Sequence, residues 1–182
     1  MPVRKKKIYL AAMLCALAVA VGYAFVYIPN VEFITAAVFI NGCILGRFYG
    51  VLTAMTAEFL FSAFNPMGAA APPMLLAQAL CFGLTGYMGG VVRQRQWQDF
   101  SAAAKIAYFG ILGFVLTLVY DVLTTLSFSL FLAGSDSKKI LASFVSGMGF
   151  YVIHVMVNTT SFALIVPVIL QRLDKMGFLY KK

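Results

Sequence analysis

The chain is 182 residues long, 62% hydrophobic and only 11% charged, with a mean hydropathy of +0.92. Soluble domains are roughly 45–50% apolar, and a water-soluble fold would have to hide several apolar runs longer than about 18 residues, each of which a bilayer accepts as one helix. The formal charge of +8 raises a nucleic-acid reading, and the placement of the cations excludes it. Arg4, Lys5, Lys6 and Lys7 precede the first apolar run, Arg47 lies between the second and third, and Arg93, Arg95 and Lys105 separate the fourth from the fifth. Arg172, Lys175, Lys181 and Lys182 follow the last, and only Lys138 and Lys139 fall in a loop of opposite parity. Twelve of the fourteen cations thus share one side, which the positive-inside rule makes cytoplasmic. No alternating strand pattern appears, and backbone amides in lipid need internal partners. The expected fold is an all-α integral membrane protein with six transmembrane helices, both termini cytoplasmic, in one membrane domain over residues 1–182.

In chain order, the first helix is expected from Ile8 to Tyr27. Its basic flank resembles that of a signal peptide, but its apolar stretch is too long for an h-region. It stops at Ile28-Pro29-Asn30, where proline removes a donor. Asn30 is placed to cap a second helix from Val31 to Leu45, with Glu32 in the first turn, where the helix dipole favours a carboxylate. Gly46-Arg47-Phe48-Tyr49-Gly50 reads as a cytoplasmic turn. The third helix, Val51 to Phe64, leads into an outer loop with three prolines, Pro66, Pro72 and Pro73, of the kind that can serve as a lid. The fourth runs from Met74 to Val92, and Trp97 in the following polar segment is placed at headgroup depth. The fifth and sixth, Ala102 to Leu132 and Ile140 to Leu173, exceed one bilayer thickness, and Pro167 is expected to kink the sixth. Cys15, Cys43 and Cys81 lack the spacing of a metal site or disulfide framework. The halves share no repeated motif, which disfavours an inverted-repeat transporter.

Several polar side chains fall inside these apolar runs. Asp121 lies roughly 16 Å from the outer end of the fifth helix, where burial of a charge costs at least about 2.5 kcal/mol. Helical spacing puts Thr117, Asp121, Thr124 and Phe128 on one face, and Tyr151, His154 and Asn158 on one face of the sixth helix. Two polar strips on neighbouring helices suggest a cavity. Asn41, Glu58 and Gln78 each need a partner too; for Asn41 and Gln78 an interhelical hydrogen-bond network is the simpler expectation. Ala12, Ala16 and Ala20 form a stripe of small residues on the first helix, suited either to internal packing or to docking a membrane partner. No nucleophile elbow, P-loop or zinc triad is present, so the residues give no support to an enzyme, a resident cofactor or a metal site.

The outer turn Tyr27-Ile-Pro-Asn-Val-Glu-Phe33, the run Phe64-Asn-Pro-Met-Gly68 with Pro72-Pro73, the pair Tyr120-Asp121 with Thr124, and His154 with Asn158-Thr-Thr-Ser-Phe162 resemble the substrate-binding S component of energy-coupling factor (ECF) transporters. The resemblance spreads over nearly the whole chain and implies the substrate-capture subunit of an ABC-type importer in a bacterial-type cell membrane. Such a subunit binds a vitamin or vitamin-like micronutrient at its outer end, topples in the bilayer and releases it through a transmembrane T component driven by two cytoplasmic ATPase subunits. It implies a site on the outer halves of the last three helices and the outer loops, at Asn65, Gln78, Tyr120, Asp121, Thr124, Tyr151, His154 and Asn158. It also implies that the Ala12, Ala16 and Ala20 face meets the T component. Flavins, pantothenate and cobalamin-type solutes all stay open as substrates. The alternative is a proton-coupled secondary transporter relaying through Glu58, Asp121 and His154, and a third, less favoured, is a membrane assembly factor with no ligand.

Overall fold

The computed structural model describes residues 3–95, 97–134 and 136–179, so Lys181 and Lys182 of the expected inner flank lie outside the described residues. Among the described residues the regular structure is helical throughout: α1 (Val3–Ala24), α2 (Ile34–Leu45), α3 (Arg47–Ala63), α4 (Pro72–Val92), a 3-10 turn (Trp97–Asp99), α5 (Ala102–Ala133) and α6 (Ser137–Lys175). The starts of the last two long helices follow local chemistry. Ser101 caps α5 by accepting from the Ala104 amide, and Asp136 caps α6 by accepting from the Lys138 and Lys139 amides, satisfying donors that have no partner within the helix.

Helices α5 and α6, the two longest, pack along each other; α4 is central, touching α2, α3 and α5, while α1 lies on α2 and α3 and α2 reaches across to α6. One buried cluster joins Phe39, Phe109, Phe162, Val166 and Leu170 from α2, α5 and α6, and a second joins Ala18, Ile34, Val38, Ala57 and Phe82 from α1 to α4. Trp97 belongs to the first cluster, fully buried with its ring edge-on to Phe109 at a centroid distance of 5.6 Å. It is therefore packed into the core of the bundle.

Backbones of α2, α3 and α4 meet through glycine. A Cβ on Gly42 would lie 2.1 Å from the Gly86 carbonyl oxygen, and one on Gly86 would lie 2.3 Å from that of Gly50. The contact therefore admits hydrogen alone, the close approach that small residues permit between membrane helices.

Four helices, α1, α4, α5 and α6, are long and apolar enough to cross a membrane. Large apolar side chains such as Met13, Ile111, Leu141 and Met156 stand more than half exposed on their outer faces, as expected of surfaces solvated by lipid. Helix α2, at 12 residues, is about 18 Å long and α3, at 17, about 26 Å, both short of a hydrocarbon core of about 30 Å.

Several expected boundaries move. The reading of residues 46–50 as a turn is corrected to a break at Gly46 alone (φ 84°), with α3 starting at Arg47, because Gly50 serves packing, not turning. Pro72 and Pro73 open α4 instead of stiffening the loop before it, as their fixed φ and missing donors allow at the first helical positions. Asn30 is not the cap of α2: it adopts φ 57°, and the cap position falls on Phe33, which has no side-chain cap bond. Glu32 consequently lies before the helix, not in its first turn.

Candidate functional site

The polar strips of α5 and α6 face each other, and an open cavity of about 800 Å³ lies beside them. Helix α5 supplies Tyr120, Asp121, Thr124, Thr125 and Phe128; α6 supplies Gly147, Phe150, Tyr151 and His154; α4 adds Met74 and Gln78, and Asn30 lines it from the α1–α2 connection. A volume in the range of small-molecule sites, lined by aromatic and apolar groups with a few placed polar ones, is the expected form of a solute pocket.

At its base, His154 is held between two carboxylates. Its Nδ1 lies 2.7 Å from Asp121 Oδ1 and its Nε2 3.4 Å from Glu32 Oε1. The Asn158 amide donates to the same Glu32 oxygen at 2.9 Å, and Thr35 donates to Glu32 through its backbone N–H at 2.9 Å and its hydroxyl at 2.5 Å. Burial pushes the Glu32 carboxyl up, but the His154 and Thr35 hydrogen bonds and the His154 charge outweigh it, and Glu32 lies below its ordinary value. The α1–α2 connection is thus tied to α5 and α6 through one imidazole. The Tyr120 ring stands edge-on to His154 at 5.6 Å, and its hydroxyl accepts from the Gln78 amide at 3.1 Å. On the opposite wall the Tyr151 hydroxyl pairs with Thr125 at 2.7 Å.

Of the eight expected site residues, Gln78, Tyr120, Asp121, Thr124, Tyr151 and His154 line this cavity. Asn158 is fully buried behind it and acts on Glu32. Asn65 lies in a smaller adjoining pocket of about 320 Å³ that shares Met74, Gln78 and Phe128 with the main one, and its side chain accepts from the Met67 amide. Glu58 is buried and accepts from Ser62 at 2.7 Å; among the described residues it has no hydrogen bond to the Asp121–His154–Glu32 chain, although it lies near enough to Glu32 for their charges to interact. The sequence reading missed Glu32 and Thr125 as site residues. Thr125 falls one position beyond the expected strip, and Glu32 meets residues more than 120 positions away, which local spacing does not reveal.

On α1, Ala12, Ala16 and Ala20 are exposed, while Ala11, Cys15 and Ala18 are buried against the bundle. Of the two readings of the stripe, internal packing is served by the other face.

No curated protein and no solved structure matches the chain. Residues 6–180 match the family described as ECF transporter, substrate-specific component, a match that spans the whole helical bundle and all six cavity-lining residues expected from the sequence, and the chain therefore belongs to that family.

Proposed function

We propose that this chain captures a small vitamin-like solute from the outer face of a bacterial cell membrane and hands it to a T component driven by two ATPase subunits. The observation that carries the reading is the cavity itself: buried polar side chains on long apolar helices, arranged around about 800 Å³ of space in a member of the substrate-specific family. Idle polar groups in hydrocarbon are penalised, and a guest gives them work. In this reading all six helices cross the membrane, α2 and α3 within the shelter of their neighbours, and both termini face the cytoplasm. Gln78, Tyr120, Asp121, Thr124, Tyr151 and His154 contact the solute, Asn158 holds Glu32 in place, and Asn65 shapes the adjoining outer pocket. The exposed Ala12, Ala16 and Ala20 face receives the T component, and ATP hydrolysis belongs to the partner subunits.

Mass spectrometry of small molecules retained after gentle purification tests this directly. A single stoichiometric metabolite is expected, and its displacement by the same compound added in excess would follow; a chain that emerges empty and binds no solute offered to it would sink the proposal. The hydrogen-bonded chain Asp121–His154–Glu32 favours a second reading, a proton-coupled transporter. Uptake by this chain alone under an imposed pH gradient supports that reading, whereas uptake that needs the T component and ATPases supports the first.

A further inference from the structure

The buried part of the cavity wall holds acceptors that nothing among the described residues satisfies. Two side chains lining it, both more than nine-tenths buried, keep an oxygen without a partner: Asp121 Oδ2 and Gln78 Oε1. The lining hydroxyls do not redress this. Thr124 donates to the Tyr120 carbonyl, Ser143 to the Lys139 carbonyl and Ser146 to the Ala142 carbonyl, so each has spent its hydrogen on its own helix and offers a guest only lone pairs.

The donors at the wall are the Asn30 amide and a few hydroxyl hydrogens. Tyr120 retains its hydroxyl hydrogen after accepting from Gln78, and the Thr125–Tyr151 pair retains one hydrogen between its two oxygens. The lining ammonium of Lys139 sits at the mouth, 70% exposed, and already pairs with Asp136 at 3.7 Å. The charge beside these acceptors is unbalanced. With both carboxylates ionised, the Asp121–His154–Glu32 triad carries one net negative charge when the ring is protonated and two when it is neutral. A buried acceptor left unpaired costs about 1–3 kcal/mol, more when charged, and an unmatched charge in a cavity selects its opposite.

Resting on the capture reading above, we infer that the solute is a cationic, nitrogen-rich ring compound. Its amino or protonated ring nitrogen donates to Asp121 Oδ2 and Gln78 Oε1 at the base. Its ring lies among Tyr120, Tyr151 and Phe150, where the aromatic faces favour a cation. An anionic tail, if the compound has one, points outward to Lys139. A carboxylate presented to the base would meet an acidic wall, so acids such as pantothenate are poor guests in that orientation.

The test measures binding to the full chain purified in detergent and stripped of retained ligand, by calorimetry. The probes are thiamine and pyridoxamine as cations, riboflavin as a neutral ring and pantothenate as an anion. At least one cationic probe is expected to bind at least tenfold more tightly than riboflavin and pantothenate, with Asp121→Asn weakening the cation at least tenfold and by a larger factor than it weakens riboflavin. Ser146→Lys, at an exposed lining position, puts a positive charge on the wall without disturbing the core and is expected to weaken the cation severalfold, which keeps the inference testable should Asp121→Asn fail to fold. Tightest binding of pantothenate or riboflavin, or cation binding indifferent to both substitutions, overturns the cationic class and leaves solute capture standing. Binding of none of the four, by a chain that also retains no metabolite on purification, overturns both.

Discussion

His154 is the residue on which α5, α6 and the α1–α2 connection converge. It receives Asp121 from α5 and Glu32 from the α1–α2 connection, and Glu32 in turn collects Asn158 and Thr35. Glu32→Gln tests how far this knot stabilises the fold. A carboxylate here accepts from four groups; an amide that keeps its oxygen toward Asn158, His154 and the Thr35 hydroxyl turns its NH2 toward the Thr35 N–H, a donor against a donor. Leaving a buried polar group unsatisfied costs about 1–3 kcal/mol, so a loss of stability of roughly that size is expected in reversible unfolding in detergent. A stability unchanged within about 0.5 kcal/mol would mean that the knot contributes nothing net, as buried ion pairs sometimes do. His154→Ala removes the bridge itself and leaves Asp121 Oδ1 without its partner. Solute affinity is expected to fall by at least tenfold in equilibrium binding, because the carboxylate loses the group that orients it.

At the scale of elements, what the sequence disclosed depended on the range of the interaction involved. Helix α5 was legible to within one residue and α6 to within three, since a long apolar run with polar residues at three- and four-residue spacing specifies both a helix and a face. The facing strips were legible for the same reason. Glu32 was not, because its partners come from the far end of the chain and its own neighbourhood resembles an ordinary helix start. The glycines of α2 to α4 were hidden by their ambiguity: Gly46 and Gly50 look alike in sequence, yet one breaks the chain direction at φ 84° and the other lets α4 approach. Gly42→Ala separates packing from propensity. Its new Cβ would lie 2.1 Å from a backbone oxygen, so α2 and α4 must move apart. A loss of at least about 2 kcal/mol, or no recoverable protein, is expected from overpacking against backbone. Gly149→Ala on α6 meets nothing within 4 Å and is expected to be neutral or to stabilise slightly, alanine being the better helix former. Equal behaviour of the two variants in thermal unfolding would refute the packing argument. The alanine stripe of α1 bears the corresponding test of docking. Because Ala16 is exposed, Ala16→Trp is expected to leave solute binding intact while abolishing co-purification with the T component, and retention of the complex would place the docking face elsewhere.

Over the whole molecule, the distribution of charge and the distribution of helices make one joint statement about orientation. Cations crowd the start of α1, the α2–α3 break, the α4–α5 connection and the end of α6, whereas the α5–α6 connection carries only Lys138 and Lys139. If α2 and α3 cross the membrane despite their length, the crowded segments all lie on one side and the cavity opens on the other, near Lys139. If those two helices instead form a pair that enters and leaves by the same face, the end of α1 and the start of α4 still share one side, so the later loops do not separate the two arrangements. The break at Gly46 does. In the six-crossing arrangement Phe48, which is 69% exposed beside that break, faces the cytoplasm, whereas in the re-entrant arrangement it stays on the outer side. The three native cysteines are buried and give little background, so a single introduced thiol reports its own side. With a membrane-impermeant maleimide applied to intact cells, Lys138→Cys is expected to label, and Gln98→Cys and Phe48→Cys are expected to label only after the membrane is opened. Labelling of Phe48→Cys from outside would reduce the crossings to four, the number that length and composition alone support, and would leave the positive charge of Arg47 on the outer surface, against the rule that placed the other cations within.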